Sequence, residues 1–216
     1  MRKEKRLIIA LDVPEAKLAV EIAEATTSQC DAFKVNYPLV LAAGLGIVDT
    51  LGRFGEVLCD FKVADIPATN RLIVEQVFDH GASGVIVHGF PGTDSLRACV
   101  EVAQGDVFVV TAMSHPGAER FLLPQAEDLA RLAVQERAAG IVVGATRPAM
   151  IRQLRDLVGS LQILAPGVGV QGGSPAEALQ AGADYLIVGR SITQSESPSR
   201  AADRILSEIR GAGAMV

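Results

Sequence analysis

The chain of 216 residues contains no tryptophan and few other aromatic residues, which together make up 4% of the sequence. Few aromatic side chains leave few surfaces on which nucleic-acid bases could stack. An excess of basic charge is also missing, because the formal net charge is -5 at pH 7. A protein that coats nucleic acid would need the opposite sign. The composition therefore argues against a nucleic-acid partner.

Cysteine is scarce and widely spaced. Cys30, Cys59 and Cys99 are odd in number, and no two of them have the C-x-x-C spacing of a metal site. Isolated cysteines of this kind are common in protein cores and in reducing compartments. We therefore expect three buried, reduced thiols and no bound metal.

Long apolar runs are absent, since Asp, Glu, Gly or Pro interrupts each run before the ~18 residues needed to span a membrane. The basic cluster between Arg2 and Arg6 is followed by an apolar run that ends at Asp12, too short for the core of a signal peptide. We expect the basic cluster to be a solvated chain end. The run after it is interpreted as a first strand, and the predicted location is the cytoplasm, with no membrane partner.

Short apolar runs rich in β-branched residues recur at nearly even spacing, as expected for buried strands. The eight predicted strands are Leu7–Asp12, Ala32–Asn36, Val57–Lys62, Gly84–His88, Val107–Ala112, Gly140–Gly144, Gln162–Pro166 and Tyr185–Gly189. Between them lie segments of helical periodicity, the clearest being Glu15–Ala25, Arg71–Phe78, Leu129–Arg137 and Ile205–Arg210. Prolines that are placed to begin helices are Pro14, Pro67, Pro148, Pro175 and Pro198.

Eight alternating strand and helix units predict an α/β fold, a (β/α)8 or TIM barrel, formed as a single domain by residues 1–216. A doubly wound sheet would show a glycine fingerprint after its first strand. The first strand is instead followed by Val13 and Pro14. We expect compact helices, because the repeat is short for this fold, and no second domain.

The predicted carboxyl ends of the strands are unusually polar, whereas the amino ends offer little besides glycine and apolar residues. Polar residues at the carboxyl ends are Asp12, Lys34, Asp60, Lys62, His88, Thr111, Ser114, Gln171 and Arg190. Catalytic residues of such barrels lie at that end. This asymmetry predicts an enzyme.

The most informative motif is Asp60-x-Lys62-x-x-Asp65, at and just beyond the end of the third strand. Side chains alternate along a strand, so Asp60 and Lys62 should point to the same side. An ion pair at the end of an apolar strand is costly unless it is well paired or used for chemistry. Two carboxylates around one ammonium group could hold a proton donor charged and in place. A purely structural ion pair remains the alternative interpretation.

Two glycine-containing loops at the ends of the last strands predict a phosphate site. Residues 166–175 contain four glycines together with Gln171, and the eighth strand ends at Gly189 followed by Arg190. Glycine allows backbone N–H groups to approach an anion closely, and arginine adds a forked cationic donor. Loops seven and eight are where these barrels commonly bind phosphate. Simple turn chemistry is the alternative.

These motifs together resemble the orotidine 5′-monophosphate decarboxylase family, in its short form typical of archaea. The matching segments are Leu11-Asp12, Lys34-x-x-Tyr37-Pro38, Asp60-x-Lys62-x-x-Asp65-Ile66-Pro67, Val87-His88-Gly89, residues 113–117, residues 166–173 and Gly189-Arg190-Ser191. The resemblance implies decarboxylation of orotidine 5′-monophosphate to uridine 5′-monophosphate, with neither a metal nor an organic cofactor. The protein itself must then stabilise the electron pair left at C6 of the pyrimidine.

The resemblance also implies roles for individual residues. The implied catalytic residues are Lys34, Asp60, Lys62 and Asp65, with Lys62 as the proton donor to C6 and Asp60 beside the departing CO2. The implied substrate contacts are Asp12 and Lys34 with the ribose, Ser114 with the pyrimidine edge, Pro166 and Val168 with the ring, and Gln171, Gly189 and Arg190 with the phosphate. The loop that carries Gln171 is expected to act as a lid.

A homodimer is the partner that the resemblance implies, with Asp65, Ile66 and Thr69 of each chain entering the active site of the other chain. The sequence alone does not define an interface.

Two other functions remain open. A magnesium-dependent sugar-phosphate decarboxylase or aldolase of the same suprafamily would share Asp-x-Lys-x-x-Asp, but such enzymes place a Glu at the end of strand two, where this chain has Lys34. A cation there would repel Mg²⁺. A non-catalytic sensor of phosphate ligands would need the pocket but not Lys62.

Two polar residues at the strand ends have simpler interpretations. Asp12 could be the N-cap of a helix, and His88 is expected to be structural.

Overall fold

The strands of the barrel pair in chain order and close when the eighth strand pairs with the first. The computed structural model describes residues 3–213, so Arg2 and the ends of the predicted domain lie outside the described residues. The parallel strands are β1 (Leu7–Ala10), β2 (Ala32–Asn36), β3 (Glu56–Val63), β4 (Gly84–His88), β5 (Asp106–Ala112), β6 (Gly140–Val143), β7 (Gln162–Pro166) and β8 (Tyr185–Val188). The predicted (β/α)8 barrel is therefore confirmed.

Helices follow every strand and form the outer layer. Their bounds are α1 (Ala16–Thr26), α2 (Tyr37–Ala43), α3 (Ile47–Leu51), α4 (Pro67–Asp79), α5 (Thr93–Val102), α6 (Ala118–Phe121), α7 (Ala126–Gln135), α8 (Pro148–Val158), α9 (Pro175–Gln180), α10 (Arg190–Thr193) and α11 (Pro198–Gly213), with a 3-10 turn at Leu123–Gln125. Four predicted prolines are the first residues of helices, as their fixed φ favours. Pro14 instead lies two residues before α1.

Side-chain alternation along the strands separates two cores. Residues such as Ile8, Leu58, Ile86 and Phe108 point inward and fill the barrel. Their neighbours in sequence point outward and pack between the sheet and the helices in a larger cluster. Filling of the barrel interior makes it a packed core rather than a pore, so the open space for a ligand lies at its ends.

The amino ends of the strands are more polar than the sequence suggested. The Asp184 carboxylate accepts hydrogen bonds from the Ile163 N–H and from Arg155, and Asp31 accepts from the N–H groups of Lys5 and Arg6. The Arg6 side chain donates to backbone carbonyls at 183 and 184, so this residue is not a solvated end. That part of the prediction was wrong because these partners lie far apart in sequence. Polar groups at this end of the fold usually serve stability.

No helix within residues 3–213 is both long enough and apolar enough to cross a membrane. The three cysteines are free and buried, as predicted.

Candidate active site

A cavity of about 280 Å³ opens at the carboxyl end of the barrel. Its floor is formed by Ile86, Val110, Val142 and Ile187, which belong to the apolar interior of the barrel. Ten residues that were predicted to form the site line this cavity: Asp12, Lys34, Asp60, Lys62, Ser114, Pro166, Val168, Gln171, Gly189 and Arg190. The fold therefore brings together residues that are up to 178 positions apart in sequence, as the difference between 190 and 12 shows.

Four charged side chains of alternating sign form a continuous chain on one wall of the cavity. The Lys34 Nζ lies 2.8 Å from Asp12 Oδ1 and 3.1 Å from Asp60 Oδ2, and Lys62 Nζ lies 2.7 Å from Asp60 Oδ1. In the register between β2 and β3, Asp60 lies opposite Asn36, and Lys34 lies opposite Leu58. Lys34 therefore begins one layer of side chains deeper in the barrel than Asp60. Its long side chain then reaches the carboxylates. The chain Asp12–Lys34–Asp60–Lys62 is neutral overall, and its central pair is almost fully buried.

Burial and mutual attraction act in opposite directions on the central pair. Burial on its own would raise the pKa of Asp60, but the charges of Lys34 and Lys62 outweigh it and hold this pKa below the usual range. Burial likewise would lower the pKa of Lys34, but Asp60 and Asp12 outweigh it and raise this pKa. Both side chains are consequently charged at neutral pH. The network presents fixed charges to whatever occupies the cavity.

The backbone at Lys62 departs from regular strand geometry. Its φ is +46°, in the left-handed region, and the register between β3 and β4 shifts between Cys59 and Val63. A side chain with a Cβ pays about 1–2 kcal/mol for this conformation. Asp60 and Lys62 do face the same side, as predicted, but their contact is reached through an irregular strand. Strain of this kind is concentrated at functional sites, where the surroundings enforce it.

The glycine-rich segment after β7 forms a hydrogen-bonded loop over the cavity. Gly169 has a φ of +78°, and a Cβ there would lie 2.3 Å from Ser191 Oγ, so only glycine fits. The Ser114 hydroxyl donates to Gln171 Oε1 at 2.9 Å and thereby joins the loop after β5 to the loop after β7. Both residues line the cavity. Their contact is a candidate latch for the predicted lid.

Arg190 follows β8 and is exposed at the rim of the cavity. Within residues 3–213 its guanidinium forms no ion pair with an acidic side chain. Gly189 beside it leaves the backbone accessible. An unpaired guanidinium next to a glycine-rich loop is suited to an anionic group of a ligand.

Three predicted site residues lie elsewhere. Asp65 and Ile66 are exposed and Thr69 is partly buried, and none of the three lines the cavity of its own chain. The Asp65 Oδ1 accepts a hydrogen bond from the Ile66 N–H at 2.7 Å. Within one chain Asp65 therefore does not take part in the network of Lys62.

The sequence reasoning missed several polar residues of the cavity. These are Asn36, Ser191, Thr193 and Gln194. Asn36 could have been found, because it lies two residues after Lys34 and thus faces the same side of β2. Ser191 and Thr193 belong to the short helix α10 and Gln194 is its C-cap, and no periodicity in the sequence predicted this helix.

His88 ends β4 close to the charged network, and its ring contacts that of Phe90. Its Nδ1 is buried and has no hydrogen-bond partner among the described residues. Burial, followed by the positive charge of Lys62, lowers the pKa of His88 from 6.5 to about 4, although Asp60 partly opposes this. The imidazole is consequently neutral at pH 7. Its structural interpretation stays a prediction.

The lowered pKa of His88 predicts a loss of stability in acid. The unfolded chain binds a proton near pH 6.5 and the folded chain only near pH 4, so the free energy of unfolding should fall as the pH drops through this window. The contribution is at most about 3 kcal/mol, reduced by partial exposure of the ring. Urea unfolding at several pH values measures this free energy. Between pH 6.5 and pH 4 it should fall less steeply for His88→Leu than for the wild type.

The matched control is His115→Asn, because His115 is an exposed histidine, whereas His80 is paired with Asp49. That variant should keep the wild-type slope between pH 4 and pH 6.5. If the free energy of unfolding of His88→Leu depended on pH as steeply as that of the wild type, a group other than His88 would be responsible for the acid sensitivity.

Sequence and structural comparisons agree with this geometry. The profile of the "Orotidine 5'-phosphate decarboxylase / HUMPS family" matches residues 5–205. The chain belongs to this family. It is 52% identical to the orotidine 5'-phosphate decarboxylase of Methanococcoides burtonii, over 97% of this chain and 99% of the relative, and 53% identical to that of Methanosarcina mazei, over 97% of both.

Solved members of the family have the same fold. A crystal structure of the decarboxylase from Methanocaldococcus jannaschii, complexed with the inhibitor BMP, superposes with a TM-score of 0.90 at 40% identity, covering 94% of this chain and 97% of that one. The enzyme from Pyrococcus horikoshii also gives a TM-score of 0.90, at 43% identity, covering 95% and 99%. The family and the barrel are thus established independently of the motifs.

Proposed function

We propose that this protein is an orotidine 5′-phosphate decarboxylase, which converts orotidine 5′-monophosphate to uridine 5′-monophosphate and CO2 in pyrimidine biosynthesis. Family membership over nearly the whole chain supports this reaction. The observation that carries it is the ammonium group of Lys62, held 2.7 Å from the buried Asp60 at the wall of the cavity. Decarboxylation at C6 needs a fixed cation and a proton donor at one point.

Lys62 serves the reaction in two steps. The bond between C6 and the carboxylate breaks, its electron pair stays on C6, and CO2 leaves as a neutral molecule. The nearby ammonium stabilises this negative charge more than it stabilises the neutral carbon of the substrate, which is the differential binding that lowers a barrier. An N–H bond of Lys62 then breaks and its proton passes to C6. Solvent returns a proton to the amine.

Asp60 acts on the group that leaves. Its negative charge beside the substrate carboxylate is repulsive by about 4 kcal/mol at ~4 Å and an effective dielectric near 20. This repulsion disappears as neutral CO2 forms. Because ground-state stress alone cannot supply the ~8–23 kcal/mol typical of enzymes, the larger contribution comes from the preorganised charges of the network.

The remaining residues of the cavity bind the rest of the nucleotide. Asp12 and Lys34 contact the ribose hydroxyls, Ser114 contacts the pyrimidine edge, and Pro166 and Val168 cover the ring. Gln171, Gly189 and Arg190 hold the phosphate. The exposed, unpaired guanidinium of Arg190 and the contact between Ser114 and Gln171 support this arrangement. Closing the lid expels water and strengthens the electrostatic contacts at the reacting carbon.

The proposed reaction needs no metal, and the position of Lys34 supports this. Its ammonium group lies between the carboxylates of Asp12 and Asp60, where it occupies the space that a divalent cation would share with them. Mg²⁺ binding there would bring two cations together. A magnesium-dependent sugar-phosphate enzyme is therefore disfavoured by the side chains themselves.

A direct assay tests the function. The purified protein, incubated with orotidine 5′-monophosphate and EDTA, should produce uridine 5′-monophosphate and CO2 at the same rate as without chelator. Loss of activity in EDTA and its return with Mg²⁺ would favour the magnesium-dependent alternative. Tight binding of the nucleotide without turnover would instead indicate a sensor.

We also propose a homodimer in the cytoplasm, in which Asp65, Ile66 and Thr69 of one chain complete the site of the other. Large apolar side chains are exposed around the ends of β2, β3 and β4: Tyr37, Leu41, Ile66, Leu72 and Phe90. Apolar patches of this kind mark protein interfaces. Asp65 is exposed in the same region and does not line the cavity of its own chain. A second copy covering this surface would receive its carboxylate.

Mixed dimers test the shared site. Lys62→Ala and Asp65→Ala chains are each expected to be inactive, whereas a mixed dimer has one site with Lys62 from one chain and Asp65 from the other. Equal mixing should recover about one quarter of wild-type activity, because half of the dimers are mixed and each has one complete site. Absence of recovery, with subunit exchange confirmed by mass spectrometry, would contradict the shared site.

A further inference from the structure

A buried polar cluster lies directly behind the exposed Asp65. Asn70 in the first turns of α4 is 0% exposed, and Ser95 in the first turn of α5 is 2% exposed. They are two of the few buried polar residues outside the cavity. Buried polar side chains cost stability unless they are fully hydrogen-bonded, so a cluster of them usually fixes a particular geometry.

The cluster binds both backbone groups of Asp65. The Asp65 N–H donates to Asn70 Oδ1 at 2.9 Å, and the Asp65 carbonyl accepts from the Ser95 hydroxyl at 2.9 Å. Asn70 Nδ2 in turn donates to Ser95 Oγ at 2.7 Å and to the Ser95 carbonyl at 3.2 Å. These bonds form a closed ring. The peptide groups of Asp65 are therefore fixed from two helices at once.

The ring does not cap α4, because its bonds to the backbone are made to the residue before the N-cap. Ile66 occupies the N-cap position and has no side chain that could cap the helix. Asn70 instead reaches back over the first turn to the residue before the cap, while the Asp65 side chain accepts from the Ile66 N–H. An N-cap side chain stabilises a helix by accepting a hydrogen bond from an N–H group of its first turn, and neither bond to Asp65 does this. Holding the preceding residue by its N–H and its carbonyl serves the placement of that residue.

We propose that Asn70 and Ser95 are positioning residues, which hold Asp65 so that its carboxylate enters the active site of the second subunit. This inference rests on the proposed function and on the shared site. Neither residue touches the cavity of its own chain. Their effect on catalysis then passes through the segment that carries Asp65 into the partner's site. The same substitution must then matter on the chain that donates Asp65 and not on the chain that supplies Lys62.

Mixed dimers allow the two placements of Asn70→Ala to be compared while the set of substitutions in the dimer stays the same. In the first arrangement Asn70→Ala is placed on the Lys62→Ala chain, which donates the functional Asp65. In the second it is placed on the Asp65→Ala chain, which supplies the functional Lys62. Both dimers carry the same three substitutions, so any loss of stability is alike. We expect roughly 10-fold or greater loss of kcat in the first arrangement relative to the second, because a misplaced charged group reacts poorly.

Ser95→Ala gives the same comparison with a milder change, since it removes only the hydroxyl, and it decides the question if Asn70→Ala chains do not fold. Thr26→Val is the control, because Thr26 is likewise buried and donates its hydroxyl to a backbone carbonyl, that of Ile22 in α1. Thr26→Val should give the same kcat in both arrangements. Equal activity of the two Asn70 or Ser95 arrangements would overturn the inference. Lack of activity in the mixed dimer of Lys62→Ala and Asp65→Ala chains, without a third substitution, would also overturn the inference. The proposed reaction would still stand in that case if the wild type turned over orotidine 5′-monophosphate.

Discussion

Lys62→Ala should lower kcat for orotidine 5′-monophosphate roughly 10³-fold or more. Removal of a general acid typically costs 10²–10⁴-fold, and removal of a preorganised charge beside a developing anion costs a further 10²–10³-fold. Both functions are lost together in this variant. The fold should remain, because Asp60 keeps the second partner Lys34 at 3.1 Å. Rates under saturating substrate, with circular dichroism for folding, measure the effect.

Lys62→Arg separates the charge from the proton. Arginine keeps the positive charge, but with a pKa above ~12 its guanidinium is a poor proton donor, and its fork does not match the position of a single ammonium. This variant should stay well below the wild type, because the proton donor is still missing. Lys17→Ala is the matched control, because Lys17 is an exposed lysine that pairs with Glu21 at 3.8 Å. Near-normal turnover by Lys62→Ala would remove the assigned role altogether.

The strand pattern made the fold predictable, because a buried parallel strand must be apolar on both faces. β2, β4 and β7 have the predicted bounds, and most other strands differ by one or two residues. β1 ends at Ala10 rather than Asp12, and the Asp12 carboxylate pairs with the Lys34 ammonium group at 2.8 Å. The short helices α6 and α10 were not predicted, because four residues are too few to show a helical period.

The site was predictable in its composition but not in its contacts. Ten residues could be assigned to one end of the barrel because parallel strands place all their carboxyl ends together. The left-handed backbone at Lys62, the bond between Ser114 and Gln171, and the ring formed by Asn70 and Ser95 depend on residues that meet only in the folded chain. No local pattern encodes such pairs. The same reason explains the unexpected polar contacts at the opposite end of the barrel.

Lys34 should prove the most important member of the network for stability. Lys34→Met keeps an unbranched side chain that is shorter by the charged terminal atom, and among the described residues it leaves the buried Asp60 with Lys62 as its remaining ionic partner. Breaking a buried ion pair by removing one partner typically costs about 3–5 kcal/mol. We expect a loss of this size in the free energy of unfolding by urea at pH 7. Lys17→Met, at an exposed pair, should cost less than about 1 kcal/mol.

The pH dependence of this loss identifies its cause. In the wild type the lowered pKa of Asp60 gives stability that is present above pH 3.8 and is lost as the pH falls through the folded-state value. Lys34→Met removes one of the charges that lower this pKa, so the difference between variant and wild type should be largest near neutral pH and should narrow below pH 3.8. Adding Asp60→Asn to Lys34→Met should recover part of the loss at pH 7, because the buried group that has lost one of its two cationic partners then carries no charge. A constant difference at every pH, without recovery in the double variant, would mean that packing of the lysine side chain rather than its charge stabilises the barrel.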